Sequence, residues 1–391
     1  MSTLKVNGIQ AVSGTADAIS LTASDKTCTA NITNNLSNRN LIINGAMQVN
    51  QRGSTAGLDD FNVVTGNLYT LDRWEGVGTS SFDWDSARIK QVSDSPDEFS
   101  NSLRVDIGNT ETPGAGQNGL VRTKIEAQDL QHLAYGTSSA KTCTLSFWVR
   151  SNKTGTYCVQ IQQRDADKHL LYEYSISSAN TWEKKTITFS GNTSDAITND
   201  NGIGFQISFH LACHSDDHES ATTSWAANSG GSLKATSNQV NLWDHADNVW
   251  YLTGVQLEVS DYATDFEHRS YSYELKRSQR YYRLIANNNG GTATETFATG
   301  ACNDTGGLHT VHTFDPEMRS KPSAEITTGT NYFGIINDNS LDYSSSAPNA
   351  VSSRSSARHY EILWPATVTQ NAAGFIYTNN NSAKFAFSAE L

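Results

Sequence analysis

The sequence predicts an all-β protein: a jelly-roll β-sandwich, then a smaller C-terminal β-sandwich, with a short N-terminal segment ahead of both. Apolar residues recur with period 2 in run after run, as in Ile203, Phe205, Ile207, Phe209 and Leu211, which puts each set on one face of a strand. Gly- and Asn-rich breaks such as Gly191-Asn192 and Asp200-Asn201-Gly202 separate the runs, and segments with helical spacing are few. Many short strands between polar breaks mark a sandwich or jelly roll. A length of 391 residues suits about two domains.

Residues 1–38 hold few large apolar side chains. Leu4, Val6 and Ile9 start a strand-like pattern, Ile19 and Leu21 a second, and Ile32 a third. Such a segment buries too little surface to fold alone. It is expected to remain a tail or to order by pairing with copies of itself or with a docking protein.

Residues 39–267 carry the jelly-roll pattern. Leu145, Phe147 and Val149 alternate with Ser146, Trp148 and Arg150. Tyr157, Val159 and Ile161 alternate with Cys158, Gln160 and Gln162, and Val249, Tyr251, Val255, Leu257 and Val259 close the domain. The stretch 125–133 is compatible with a short helical crossover. Residues 212–248 break the rhythm, and a connection this long in a compact domain is often functional. Residues 268–291 read as a helix or linker, with Tyr271, Leu275 and Tyr282 spaced for one face, ending in Asn287-Asn288-Asn289-Gly290-Gly291. Residues 292–391 return to short β runs and suit a small independent β domain.

Composition removes several function classes. The net charge is -12, without a cluster of Lys and Arg, which argues against nucleic acid because phosphate binding requires concentrated positive charge. Five Cys, an odd number, have spacings that fit neither a disulfide framework nor a zinc site, as expected of a chain folded in a reducing cytoplasm. The N-terminus lacks the apolar stretch of a signal peptide, and no apolar run approaches a membrane span. Charged residues are only 17% of the chain; Ser, Thr, Asn and Gly take their place, giving a surface that is polar without charge.

Catalytic patterns are weak. Asp165 and Asp167, like Asp83 and Asp85, are carboxylates two apart, but glycoside hydrolysis needs a pair flanking the bond, and pairs this close suit turns. Gly114-Ala115-Gly116-Gln117-Asn118-Gly119 follows Thr112-Pro113 rather than a buried strand, so it reads as a loop. His214, Asp216, Asp217, His218 and Glu219 read as a solvated acidic loop, because the His-Glu-x-x-His order is missing. No catalytic residue, metal ligand or cofactor is assigned. A structural calcium ion would suit a β-sandwich, but no ligand set is spelled out.

Aromatic residues are the candidates for binding. Sugars present C–H faces that stack on Trp and Tyr, while their hydroxyls take polar partners. Trp225 and Trp243 lie in the polar 212–248 stretch, where they either meet a ligand or pin the loop to the sheet. Trp84 lies between Asp83 and Asp85, and Trp364 ends a strand before Pro365. These four are the candidate ligand-binding residues. Trp148 and Trp250 sit on regular strands and suit packing, and Trp74 suits a structural anchor, with Arg73 paired to a carboxylate.

Four patches carry a family resemblance. They are Asn38-Arg39-Asn40-Leu41-Ile42-Ile43-Asn44-Gly45-Ala46-Met47 with Gln51-Arg52-Gly53, Leu71-Asp72-Arg73-Trp74, Leu145-Ser146-Phe147-Trp148-Val149-Arg150, and 250–258 running on to Tyr281-Tyr282. In this order they resemble the carbohydrate-binding-module-like jelly roll in tail fibres of tailed bacteriophages. Ser2-Thr3-Leu4-Lys5-Val6 resembles the start of such fibres. Phe314 with Met318-Arg319-Ser320-Lys321-Pro322 resembles a motif of their tip domain. Two features depart from the usual long fibre: no heptad or Gly-x-y shaft is present, and 212–248 has no counterpart. The resemblance implies a homotrimeric virion protein docked to tail or capsid through residues 1–38 and attached to host cell-surface polysaccharide, with neither nucleic acid nor membrane insertion. It is expected to be made in the host cytoplasm and released by lysis. The competing expectations are a capsule depolymerase on the same sandwich and a purely architectural fibre or capsid decoration.

Overall fold

The computed structural model describes residues 8–10, 17–21, 28–30, 38–53, 61–62, 66–79, 82, 87–228, 234–288, 295–303, 305–327, 329, 331–337, 340–344, 349–350, 354–380 and 382–391. Strand accounts for 45% of the structure and helix for 7%, so the all-β class holds. Ahead of the main body, Gly8–Gln10 (β1), Asp17–Leu21 (β2) and Cys28–Ala30 (β3) pair antiparallel in that order.

The jelly roll is two sheets packed face to face. Its strands are Phe61–Asn62 (β4), Gly66–Tyr69 (β5), Trp74–Gly78 (β6), Arg88–Val92 (β7), Ser102–Asp106 (β8), Asn118–Glu126 (β9), Cys143–Ser151 (β10), Gly155–Gln163 (β11), Lys168–Ile176 (β12), Glu183–Phe189 (β13), Ile203–Cys213 (β14), Thr222–Ala227 (β15) and Val249–Val259 (β16). One sheet runs β13-β10-β16-β8-β7-β4 and the other β15-β12-β11-β14-β9-β6-β5. The apolar half of each period-2 run faces inward. Phe147 meets Phe209 and Tyr174 edge-on with ring centroids 5.0 and 5.1 Å apart, and Trp74 and Trp250 flank Phe209.

The stretch 125–133 is not a helix throughout. β9 continues through Glu126, and a 3-10 turn, Ala127–Leu133, buries Leu130 and Leu133. The 212–248 stretch is also more ordered than a free loop. It adds β15 to the sheet edge, where it pairs with β12, and then returns through a bridge from Gln239 to Thr156.

The stretch read as a helix or linker, 268–291, holds a helix and the first strand of the C-terminal unit. Tyr271–Ser278 (α1) is a helix, capped by Ser270. Tyr282–Asn287 (β17) is already a strand of the C-terminal unit, because it pairs with Lys384–Ser388 (β26). The remaining strands are Thr296–Ala301 (β18), Gly307–Thr313 (β19), Ser323–Ile326 (β20), Phe333–Asn337 (β21), Ser340–Ser344 (β22), Asn349–Ala350 (β23), His359–Pro365 (β24) and Ala373–Thr378 (β25). They form sheets β17-β26-β20 and β22-β21-β25-β18-β19-β24-β23 around Trp364, Phe333, Phe385 and Phe387.

Three of the four sequence patches that carry the resemblance, 38–53, 71–74 and 250–282, meet at the joint between the two units. The Leu257 and Gly45 carbonyls accept from Leu41 N and Val255 N, at 2.8 and 2.9 Å. A Cβ on Gly45 would lie 2.1 Å from the Val255 oxygen, so only glycine permits this approach. Asn44 donates to Val49 O and Asp72 O, and Trp74 Nε1 donates to Asn44 O. Gln51 bridges Asp72 and the Tyr282 carbonyl. Arg52 lies 3.7 Å above the Tyr282 ring and Arg73 3.6 Å above the Tyr281 ring, and both guanidinium groups pair with Glu390. Arg280 grips Glu126 with two bonds of 2.7 and 2.9 Å. Arg319 donates to the carbonyls of Asn201, Ala389 and Glu390. Buried charges of this kind hold because each is paired and hydrogen-bonded.

Candidate functional site

The outward side chains of the seven-stranded sheet form the candidate site. Because the pleat alternates, the positions between core residues point away from the sandwich. Antiparallel register aligns them in rows. Lys124, Gln206, Gln162 and His169 form one row, and Glu75, Arg122, Ser208, Gln160 and Leu171 a second. Leu120, His210, Cys158 and Glu173 form a third. A groove of about 290 Å³ runs over β9, β14 and β11 along these rows.

The 212–248 stretch builds one wall. Ala235 packs on Cys158 and Leu171, Thr236 bonds Glu173, and Glu219 bonds His169 Nε2 at 2.7 Å. Asn228 and Lys234 then face the groove. At the other end the Leu391 carbonyl accepts from Tyr69 and from Lys124, so the C-terminal unit reaches the groove.

The floor is rich in amides and cations. Gln206 donates to Gln162 Oε1 at 2.7 Å. Glu75 receives Arg122 at 2.7 Å and Lys124 at 3.1 Å, and Asp217 receives Lys234 at 3.1 Å. Burial lowers the Lys124 pKa, with Glu75 opposing and Arg122 adding to the effect. Burial, with Lys234 nearby, pushes His210 down to about 3, so its ring is neutral at pH 7. Both His210 ring nitrogens and Asn228 Oδ1 are buried without a hydrogen-bond partner in the protein. Such orphaned groups are costly, and both residues line the groove.

The Trp candidates lie elsewhere. Trp243 is 1% exposed, edge-on to Phe82, and Trp364 is fully buried in the C-terminal core, donating to Thr310 Oγ1 at 3.0 Å. Neither offers a face for stacking, which corrects their reading as ligand contacts. Trp225 is half-buried. It stacks on Phe205, meets Tyr135 and Phe189 edge-on, and donates to Ser190 O at 2.8 Å. It therefore pins the inserted stretch to the sheet. Trp84 lies outside the described residues, as do Asp83 and Asp85. None of the three described Trp lines the groove.

Within 214–219, His214, Asp217 and Glu219 are engaged by protein partners, whereas His218 Nε2 is buried without one. His214 accepts from Asp216 N to cap a 3-10 turn, and Asp217 and Glu219 have the partners named above. Among the described residues no group of three His, Cys, Asp or Glu side chains is placed to hold a metal. Asp165 and Asp167 sit in the turn between β11 and β12, receiving Thr198 N and Asn228 Nδ2. Cys143, Cys158, Cys213 and Cys302 are free thiols. Among the described residues no helix is long and apolar enough to cross a membrane.

Sequence reasoning missed the groove. Gln160, Gln162, Gln206, Ser208 and His210 are the polar halves of the same runs whose apolar halves predicted the core. The only available signal was three neighbouring strands with large amide or ring side chains at outward positions.

No protein-family profile matches the sequence, and no curated protein matches it. Solved structures similar to it are carbohydrate-binding-module-like jelly rolls and a phage tailspike. TmCBM61 in complex with beta-1,4-galactotriose is 9% identical, with 57% of this chain and 99% of that one covered and a TM-score of 0.28. The family 11 carbohydrate-binding module from Clostridium thermocellum, in complex with a mixed-linked tetrasaccharide, is 15% identical over 52% of this chain and 94% of that one, with a TM-score of 0.25. The enzymatically active domain of tailspike protein 4 from bacteriophage CBA120 is 13% identical, with a TM-score of 0.26, over 54% of this chain. The present chain spans only 22% of that tailspike.

Proposed function

We propose that this chain is a glycan-binding attachment protein of a tailed-phage virion, a short fibre whose jelly roll holds a surface polysaccharide of the host. The observation that carries the glycan reading is the outer-face groove, with its amide rows and its buried, unpartnered His210 and Asn228. An open groove across strands accommodates a length of polymer, and rows of amides, hydroxyls and cations meet successive sugar hydroxyls without requiring a deep pocket. The virion reading is supported by the order of the tail-fibre-like patches and by three of them meeting at one joint. Residues 1–38 would dock the chain to tail or capsid. A homotrimer would present three weak grooves, and avidity would exceed the affinity of any one of them.

The depolymerase reading lacks a specific observation in its favour. The carboxylates beside the groove, Glu75 and Asp217, already neutralise Arg122, Lys124 and Lys234, and Asp165 and Asp167 serve a turn. The test is to take the trimer peak of the full chain, sized by light scattering, to an array of bacterial surface polysaccharides. Retention of one polysaccharide class by a trimer is expected. A monomer that retains none would overturn the proposal.

A further inference from the structure

We infer that the groove is built for an acidic glycan, one carrying uronate, sulfate or phosphate groups, rather than a neutral one. The inference rests on the glycan reading of the groove and adds the chemical class of its ligand. Four cationic side chains line the groove: Arg122, Lys124, Arg164 and Lys234. Among the described residues, no carboxylate side chain joins that lining. This occurs in a chain whose net charge is -12, so the positive charge is concentrated against the overall bias.

The four cations are the charged side chains that line the groove. The carboxylates beside it stand outside that lining: Glu75 with Arg122 and Lys124, Asp217 with Lys234, Asp167 with Asn228 and Glu173 with Thr236. Glu75 is shared by two cations, so neither is fully neutralised. Arg164 is exposed at the end of β11 and has no ion-pair partner among the described residues. The planar guanidinium offers donors in the fork that fits a carboxylate or sulfate edge. His210 is neutral and does not offset this charge. A groove lined by one sign of charge also raises the local concentration of oppositely charged ligand.

A matched pair of probes tests the inference on the full chain. One is a homogalacturonan oligomer with free carboxylates, the other its fully methyl-esterified, uncharged counterpart; both are titrated by calorimetry at low and at physiological salt. The acidic oligomer is expected to bind tighter, to weaken as salt rises, and to lose about fivefold in affinity with Arg164→Gln. Arg164→Lys should retain most of it, because the charge is kept. Equal binding of the two oligomers, indifferent to salt and to Arg164→Gln, would overturn the acidic preference while leaving the groove as a glycan site. Binding of neither, nor of any acidic or neutral polysaccharide on the array, would overturn both.

Discussion

The joint between the two units and the groove on the outer sheet lie on the same strands, yet they make opposite demands on sequence. At the joint, side chains bond to fixed backbone atoms more than 200 residues away, as Gln51 does to Tyr282 O and Arg269 to Asn40 O. Each such contact specifies a length, a charge and a donor pattern, so substitutions are poorly tolerated. In the groove, a side chain needs only to be polar, to point outward and to leave room. Density of motif therefore reports structural constraint at the joint, and the absence of motif does not report absence of function at the groove.

The strongest way to break this contrast is to unpair the joint. Glu390 neutralises both Arg52 and Arg73, and Arg73 is 1% exposed beneath Tyr281. Glu390→Ala leaves a buried guanidinium without its partner, and the expected loss is about 3–5 kcal/mol. Denaturant unfolding monitored by Trp fluorescence measures it. A midpoint within error of the parent protein would show that the joint does not couple the two units.

This contrast also explains what could be read from the chain. Trp74 as an anchor and Arg73 as half of an ion pair follow from Asp72-Arg73-Trp74, because a large ring beside a charge in a strand-like run has few other uses. The partner, Glu390, lies 317 positions away, and nothing local marks it. The polar neighbours of Trp243 suggest a ligand contact. Those neighbours, Asn241 and Asp244, instead shape the short turn that inserts the ring between the sheets. Trp364 misleads for a similar reason: Pro365 marks the end of a strand but says nothing of which face the preceding ring occupies. The strands themselves were legible because burial enforces period 2. The end of the linker was not, since Tyr282 fits a helix face and a strand equally well.

A pH titration separates the two regions at intermediate magnitude. At the joint, burial alone would raise the Glu126 pKa, but hydrogen bonds from Arg280 and Tyr281 outweigh it and hold the carboxyl below its usual 4.5. Its contribution is present above pH 4.5 and is lost as pH falls through the lower, folded value. At the groove, burial depresses His210 from 6.5 to about 3. The unfolded chain takes up the proton first, so stability falls as pH drops from 6.5 towards 3, by about 1.4 kcal/mol per pH unit for this one group. His312 in the C-terminal core, pushed down to about 4 by burial, adds loss of the same sign down to that pH. Unfolding free energies measured between pH 7 and 5 are therefore expected to decline while the Glu126 carboxyl stays ionised, and His210→Gln should remove part of that slope. A flat profile down to pH 5 would mean that His210 is solvated in the folded protein.

The smallest expected effect on stability is also the most discriminating for function. Gln206 sits in the middle of the groove, bonded to Gln162 and Ser208 across and along the sheet. Its side chain points away from the core, so Gln206→Ala removes the two hydrogen bonds its amide donates and no packed apolar surface. The expected cost is about 1 kcal/mol or less. The same substitution removes an amide from the row that would face successive sugar hydroxyls, so retention of the bound polysaccharide on the array should fall several-fold. Glu390→Ala should behave inversely, weakening the fold while sparing binding at temperatures where the protein remains folded, because Glu390 does not line the groove. If Gln206→Ala leaves binding intact while a joint substitution abolishes it in the folded protein, the ligand is held at the joint, and the reading of the two regions must be exchanged.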